Sequence, residues 1–186
     1  GTSSSSAAVS VPSSRPFSEV DTDRAAEQLA GLLRDEAVDV LVVYDRGGIY
    51  SHPDHLAVHR VGHAAARLAG LEHVYEATVD REYLHFVETH LVGDAVSWLA
   101  GEEHRSALNR APLGVPTVEV SHTIDVRRVA SRKRRAMQAH VSQIGPDSRV
   151  PLMTPEEFEA VYGYEWFIRC SAPGVPGDPF DELADR

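Results

Sequence analysis

The sequence has a single cysteine, Cys170, so it cannot form an internal disulfide, and no second thiolate could share a metal with it. That suits a reducing setting, and the expectation is a cytoplasmic protein. No apolar run approaches the roughly 18 residues of a membrane span. The N-terminus lacks the basic start and apolar stretch of a signal peptide. Positive charge is also scarce: 18 Lys and Arg against 28 Asp and Glu leave a net charge of −10. A nucleic-acid-binding surface usually announces itself as a basic domain or stripe, so that class is set aside. A nucleotide-binding α/β domain finds no GxGxxG or Walker pattern to support it.

What remains is a chain of 186 residues, 42% hydrophobic, suited to one globular domain with a sizeable core. Residues 1–16 are Ser-rich and aperiodic and read as a loop or linker. From Asp21 onward, Ala25, Leu29, Leu32 and Leu33 fall at helical spacing. Val38 to Tyr44 is a short continuous apolar run, as in a strand covered on both faces. A glycine-containing turn, Asp45 to Gly48, leads to a helix predicted from Pro53 to Ala69, with Pro53 at its first position and Asp54 complementing its dipole. His73 to Val79 and Thr117 to Asp125 are further strand candidates, and Val126 to Ile144 reads as a basic amphipathic helix. A short helix from Pro155 to Tyr162 and a last strand near Trp166 to Cys170 precede an acidic Pro/Gly-rich tail, 171–186. Segment 81–116 is mixed and has no clear periodicity.

Helices alternating with buried strands predict an α/β fold with a mainly parallel sheet and helices on both faces. A doubly wound sheet normally opens with a βαβ unit, whereas this chain opens in a loop, so the expected domain at 17–170 lacks its first unit. The basic cluster Arg127, Arg128, Arg132, Lys133, Arg134 and Arg135 is read as a solvated helix face.

Tyr50-Ser51-His52-Pro53-Asp54-His55 falls beyond the C-terminal end of the 38–44 strand, where open α/β sheets place their chemistry. His55, in the first helical turn, can point back into that crevice, and neutral imidazole is a favoured Zn²⁺ ligand. His52, at the cap, reaches the same crevice, and imidazole titrates near neutrality, which suits proton transfer. Asp54 is placed to accept a hydrogen bond from a histidine and fix its tautomer. A capped helix with solvated histidines would show the same residues. His59 and His63 continue at steps of four, and packing or solvent-facing roles outweigh metal ligation for them.

Val38 to Arg60, with Tyr44-Asp45, Gly48-Ile49-Tyr50 and His52 to His59, resembles the second conserved block of the LmbE-like/PIG-L N-deacetylases. Arg134 to Gln143, ending in His140-Val141-Ser142-Gln143, is similar to a later helix of that family. The resemblance covers about residues 20–170. It implies a Rossmann-like fold and Zn²⁺-dependent hydrolysis of the acetamide of an N-acetylglucosaminyl conjugate. It further implies His55 as zinc ligand, and His52 as general acid or oxyanion stabiliser. Asp54 would then tune His52, and Tyr50 would help polarise the acetyl carbonyl. Ser51 stands where the family usually has glycine. The family's first block, a His-Pro-Asp-Asp sequence supplying two more ligands and the general base, has no counterpart in this chain. The expectation is therefore the C-terminal part of a deacetylase domain, with self-association or a complementing N-terminal half as its partner. The rival reading is a degenerate, non-catalytic module that binds a sugar conjugate or a partner subunit.

Overall fold

The computed structural model describes residues 16–90, 113–141, 144, 149–171 and 175–181. Asp21 accepts the Arg24 N–H and caps helix α1, Thr22–Asp35, which buries Ala26, Ala30 and Leu33. Strand β1, Val40–Tyr44, is followed by a single turn, α2, Gly48–Ser51, whose Ile49 and Tyr50 are not helical in φ and ψ. Helix α3, Pro53–Ala69, has Pro53 in its first turn and ends on Gly70 at φ 71°, a left-handed cap. Strand β2, His73–Thr78, leads into α4, Arg81–His90. Then come β3, His122–Asp125, and α5, Ala130–Gln138. The turn α6, Arg149–Leu152, precedes α7, Pro155–Tyr162, which Thr154 and Glu157 open with a capping box, and β4, Tyr164–Arg169, follows. No helix among the described residues is long and apolar enough to cross a membrane.

The sheet order is β1-β2-β4-β3. β1 and β2 run parallel, Val40 opposite His73, as a Rossmann-like β-α-β rhythm requires. β4 is antiparallel to both β2 and β3, so β1, β2 and β3 share one direction: the α/β class holds with a sheet that is mainly, though not purely, parallel. Apolar runs identify buried strands but carry no information about their direction. Only His122–Asp125 of the 117–125 segment pairs, because Thr117–Glu119 forms a 3-10 turn.

α3 covers one face of β1 and β2, with α1 packed along it through Ala26, Ala30, Leu33 and Ala65. Gly62 makes the approach close: a Cβ there would lie 2.3 Å from Val43 Cγ1. On the other face, Tyr75 is fully buried, and Phe180 stacks on it at 4.0 Å. The acidic tail is thus docked in part. Asp178 accepts from the Tyr75 hydroxyl and pairs with His122 at 3.1 Å and Arg169 at 3.0 Å. β1 is an edge strand among the described residues, and Val42 is 44% exposed.

A second core joins α4, α5 and α7 through Val87, Ala130, Phe158 and Val161. The basic segment serves this core and is not simply a solvated face. Arg134 donates to the Pro151 and Met153 carbonyls and lies over the Phe158 ring, and Lys133 pairs with Glu165 at 3.1 Å. Arg127 binds Asp125, while Arg132 and Arg135 remain exposed. Long aliphatic stems let such residues pack while their heads find carbonyls, so charge alone misleads. The helix itself is shorter than the expected 126–144, beginning after a 3-10 turn at Arg127–Val129 and ending at Gln138.

Candidate functional site

The site is built where β1 ends. Asp45, 1% exposed, follows the strand and turns its carboxylate back on the next residues. Oδ1 accepts from the N–H groups of Gly47 at 2.8 Å and Ile49 at 3.0 Å, and Oδ2 accepts from the Thr78 hydroxyl of β2 at 2.5 Å. That anchorage holds a backbone the chain would not adopt alone. Gly48, Ile49 and Ser51 all lie in the left-handed region, at φ 60°, 61° and 63°. For β-branched Ile49 this is costly, and strain of this kind concentrates at functional sites. A second clamp comes from Gly114, whose N–H donates to the Ile49 carbonyl at 2.7 Å.

The strained turn aims its groups at the start of α3. The Gly48 carbonyl lies 3.2 Å from His55 Nδ1. A donated Nδ1–H fixes the tautomer and leaves Nε2 as the basic nitrogen, as a metal-ligating histidine needs. The ring stacks on Tyr44 at 3.8 Å. Burial, followed by the neighbouring His52, pulls the His55 imidazole below its ordinary 6.5, while the Gly48 carbonyl opposes the shift. At neutral pH His55 is therefore uncharged. His52 caps α3 with its ring, Nδ1 accepting the Asp54 N–H at 3.2 Å. Its ring stands 4.9 Å from that of His55. Tyr50 places its ring 5.8 Å from His52 and 5.1 Å from His55. Burial, then Tyr44, raises the Tyr50 hydroxyl above its ordinary 10.0, so it stays protonated and can donate.

All four predicted site residues thus meet at the C-terminal edge of β1. Asp54 differs in detail from expectation: its Oδ1 accepts the Ser18 N–H at 2.8 Å, and it orients His52 through its own backbone N–H. Four residues that build the site had no role assigned from the sequence: Tyr44, Asp45 and Gly48, which lie in the first resemblance block, and Gly114. The signal for Asp45 was its place between a buried strand and two glycines. The second resemblance block contributes less. His140 is exposed and returns to the Ala136 carbonyl, and Ser142 and Gln143 lie outside the described residues. So do residues 91–112, most of the segment read as mixed.

Groups of three metal-capable side chains do occur, but none includes His55. Among the described residues they are His59, His63 and Glu76, and His122, Asp178 and Asp181. A catalytic zinc takes three protein ligands and an open position.

No protein-family model matches the chain. It is 32% identical over 169 residues to a 1D-myo-inositol 2-acetamido-2-deoxy-alpha-D-glucopyranoside deacetylase of Salinispora arenicola, aligning 87% of this chain and 54% of that protein. The enzymes of the same name from Acidothermus cellulolyticus and Rhodococcus opacus are 28% and 30% identical, aligning 87% and 80% of this chain and 56% and 57% of theirs. The chain therefore spans little more than half the length of the curated relatives it matches. Over most of its own length the chain is thus similar to deacetylases of an N-acetylglucosaminyl-inositol, in keeping with its resemblance to the LmbE-like/PIG-L N-deacetylases.

Proposed function

We propose that this chain carries the proton-transfer half of a zinc-dependent N-deacetylase acting on an N-acetylglucosaminyl conjugate of inositol. The observation that supports this most is the His55 ring, held by Tyr44 and the Gly48 carbonyl with Nε2 left as the basic nitrogen. In this reading His55 holds the zinc, and two further ligands and the general base come from residues outside this chain. Zinc, when bound, polarises the amide oxygen and acidifies water. His52 donates its Nε2–H to the oxygen that gains negative charge; to act as acid toward the departing nitrogen it takes a second proton at Nδ1, releasing the Asp54 N–H. Asp54 sets the ring's direction through its N–H to Nδ1, so Nε2 is the atom that carries the proton. Tyr50, protonated and in ring contact with both histidines, is placed to donate to the same oxygen. The C–N bond breaks, water adds across it, and acetate and a free amine leave.

The test is release of amine from N-acetylglucosaminyl-inositol by the protein that carries this chain together with the remaining ligands. Turnover that is lost on zinc chelation and restored by zinc supports the proposal. If the conjugate binds but neither acetate nor amine forms in the zinc-loaded protein, the non-catalytic module is the correct reading.

A further inference from the structure

One turn beyond the motif, α3 carries a second pair of histidines that deacetylation does not use. His59 and His63 are four residues apart, which puts both on one helical face. The same interval lets a single helix supply two histidines to a zinc ion. Facing them is Glu76 in the middle of β2, a buried carboxylate on the side of the sheet that α3 covers. Its Oε1 lies 2.8 Å from His63 Nε2 and 3.4 Å from His59 Nδ1. Each residue offers one donor atom, and the three lie within 4.8 Å of one another. Tetrahedral zinc with bonds of about 2.0–2.2 Å holds its donors roughly 3.3–3.5 Å apart, so small side-chain movements close the set.

The fold brings these groups together through independent features. Gly62, between the two histidines, lets α3 press onto Val43 of β1 and brings both rings within reach of β2. An open pocket of about 440 Å³ lies over the cluster, with Arg46, Arg67, Glu119 and Cys170 among its lining residues. Burial pushes the Glu76 carboxyl up, but the His63 hydrogen bond and the His59 charge outweigh it, so the group lies below the usual carboxylate range. Glu76 is thus an ionised ligand at neutral pH. His59 Nδ1 also contacts the Tyr44 carbonyl at 3.1 Å, so ligation there moves the ring proton to Nε2.

We propose that His59, His63 and Glu76 form a second divalent-metal site of the zinc class, separate from the one at His55 and open to the pocket at its fourth position. Two histidines and one glutamate are a donor set that binds zinc while leaving a position for water or substrate oxygen. The site is contained in this chain, so it stands or falls independently of the deacetylation reading.

The experiment is zinc titration of the 186-residue chain by competition with a chromophoric chelator, with circular dichroism to confirm folding. Wild type and His55→Ala each bind one zinc with the same affinity. His59→Ala and Glu76→Gln weaken binding by about 10–100-fold, and His63→Ala by at least as much. Should His63→Ala fail to fold, His63→Gln keeps a hydrogen-bonding side chain opposite Glu76 but no imidazole, and shows the same loss. Zinc binding that disappears with His55→Ala and survives His63→Gln overturns the proposal. So does a folded wild-type chain that takes up no zinc in the micromolar range.

Discussion

The two histidine pairs of α3 sit one turn apart and are held by different means. His52 and His55 are set by a distorted backbone: three consecutive-turn residues at positive φ, a buried Asp45 carboxylate and the Gly48 carbonyl. His59 and His63 sit on regular helix and owe their placement to tertiary packing, through Gly62 against Val43 and Glu76 across the groove. The first arrangement is fixed by hydrogen bonds from Asp45 and the Gly48 carbonyl, which suits a site that must place a proton and a metal ligand accurately. The second must adjust its side chains to bind, which suits a metal site of lower demand. The difference teaches that one helix can place two pairs of histidines by unlike means, the first through a strained turn and the second through packing alone.

The comparison breaks most sharply at Asp45. Asp45→Ala leaves two loop N–H groups and the Thr78 hydroxyl without their acceptor, so denaturant unfolding should show a loss of about 3 kcal/mol. Equal stability in that variant would mean that the turn needs no anchor. The other end breaks at Gly62. Gly62→Val forces atoms into Val43, costs about 1–3 kcal/mol by the same measurement, and separates His59 and His63 from Glu76. It should weaken zinc uptake at that cluster while leaving the His52–His55 geometry intact.

The smallest effect is a gain. Ser51 holds φ 63°, a conformation that costs an L-residue energy and glycine none. Ser51→Gly should therefore stabilise the fold by about 0.5–1 kcal/mol, and a loss would show that the serine hydroxyl matters more than the backbone.

Acid sharpens the same contrast. His55 is depressed by burial, so the unfolded chain binds its proton more readily. Its contribution is fully present above the ordinary 6.5 and is lost as the pH falls through that value toward the lower folded one. Glu76 is depressed by its histidine partners despite burial. Its contribution is present above the ordinary 4.5 and is lost at lower pH still. Denaturant midpoints measured across this range should fall in that order on acidification. His55→Ala should remove the upper phase only.

The α3 boundaries were legible because proline, a capping histidine and a terminal glycine act locally, and the predicted Pro53–Ala69 agrees with the structure. The α7 helix was legible for the same reason, Pro155 starting it and Tyr162 ending it. Strand direction was not legible: β4 reads as apolar whichever way it runs, and pairing with both β2 and β3 is a tertiary decision. The motif's residue types announced the crevice, but the support around it did not show. Asp45 and Gly114 act through backbone hydrogen bonds across long sequence separations. Glu76 looked like one polar residue in a strand, and only the packing of α3 makes it a partner of His63.

The central claim, that His55 holds metal and His52 moves the proton, is tested most directly in the protein that supplies the remaining ligands. Zinc content by elemental analysis should be measured beside amine release for single alanine variants, with the His59–His63–Glu76 cluster disabled so that only one site reports. His55→Ala should lose zinc and turnover together. His52→Ala should keep its zinc and slow turnover by about 10²–10⁴-fold, the usual worth of a positioned acid or oxyanion donor. A His52→Ala protein stripped of zinc, beside a His55→Ala protein that retains it, would contradict the assignment.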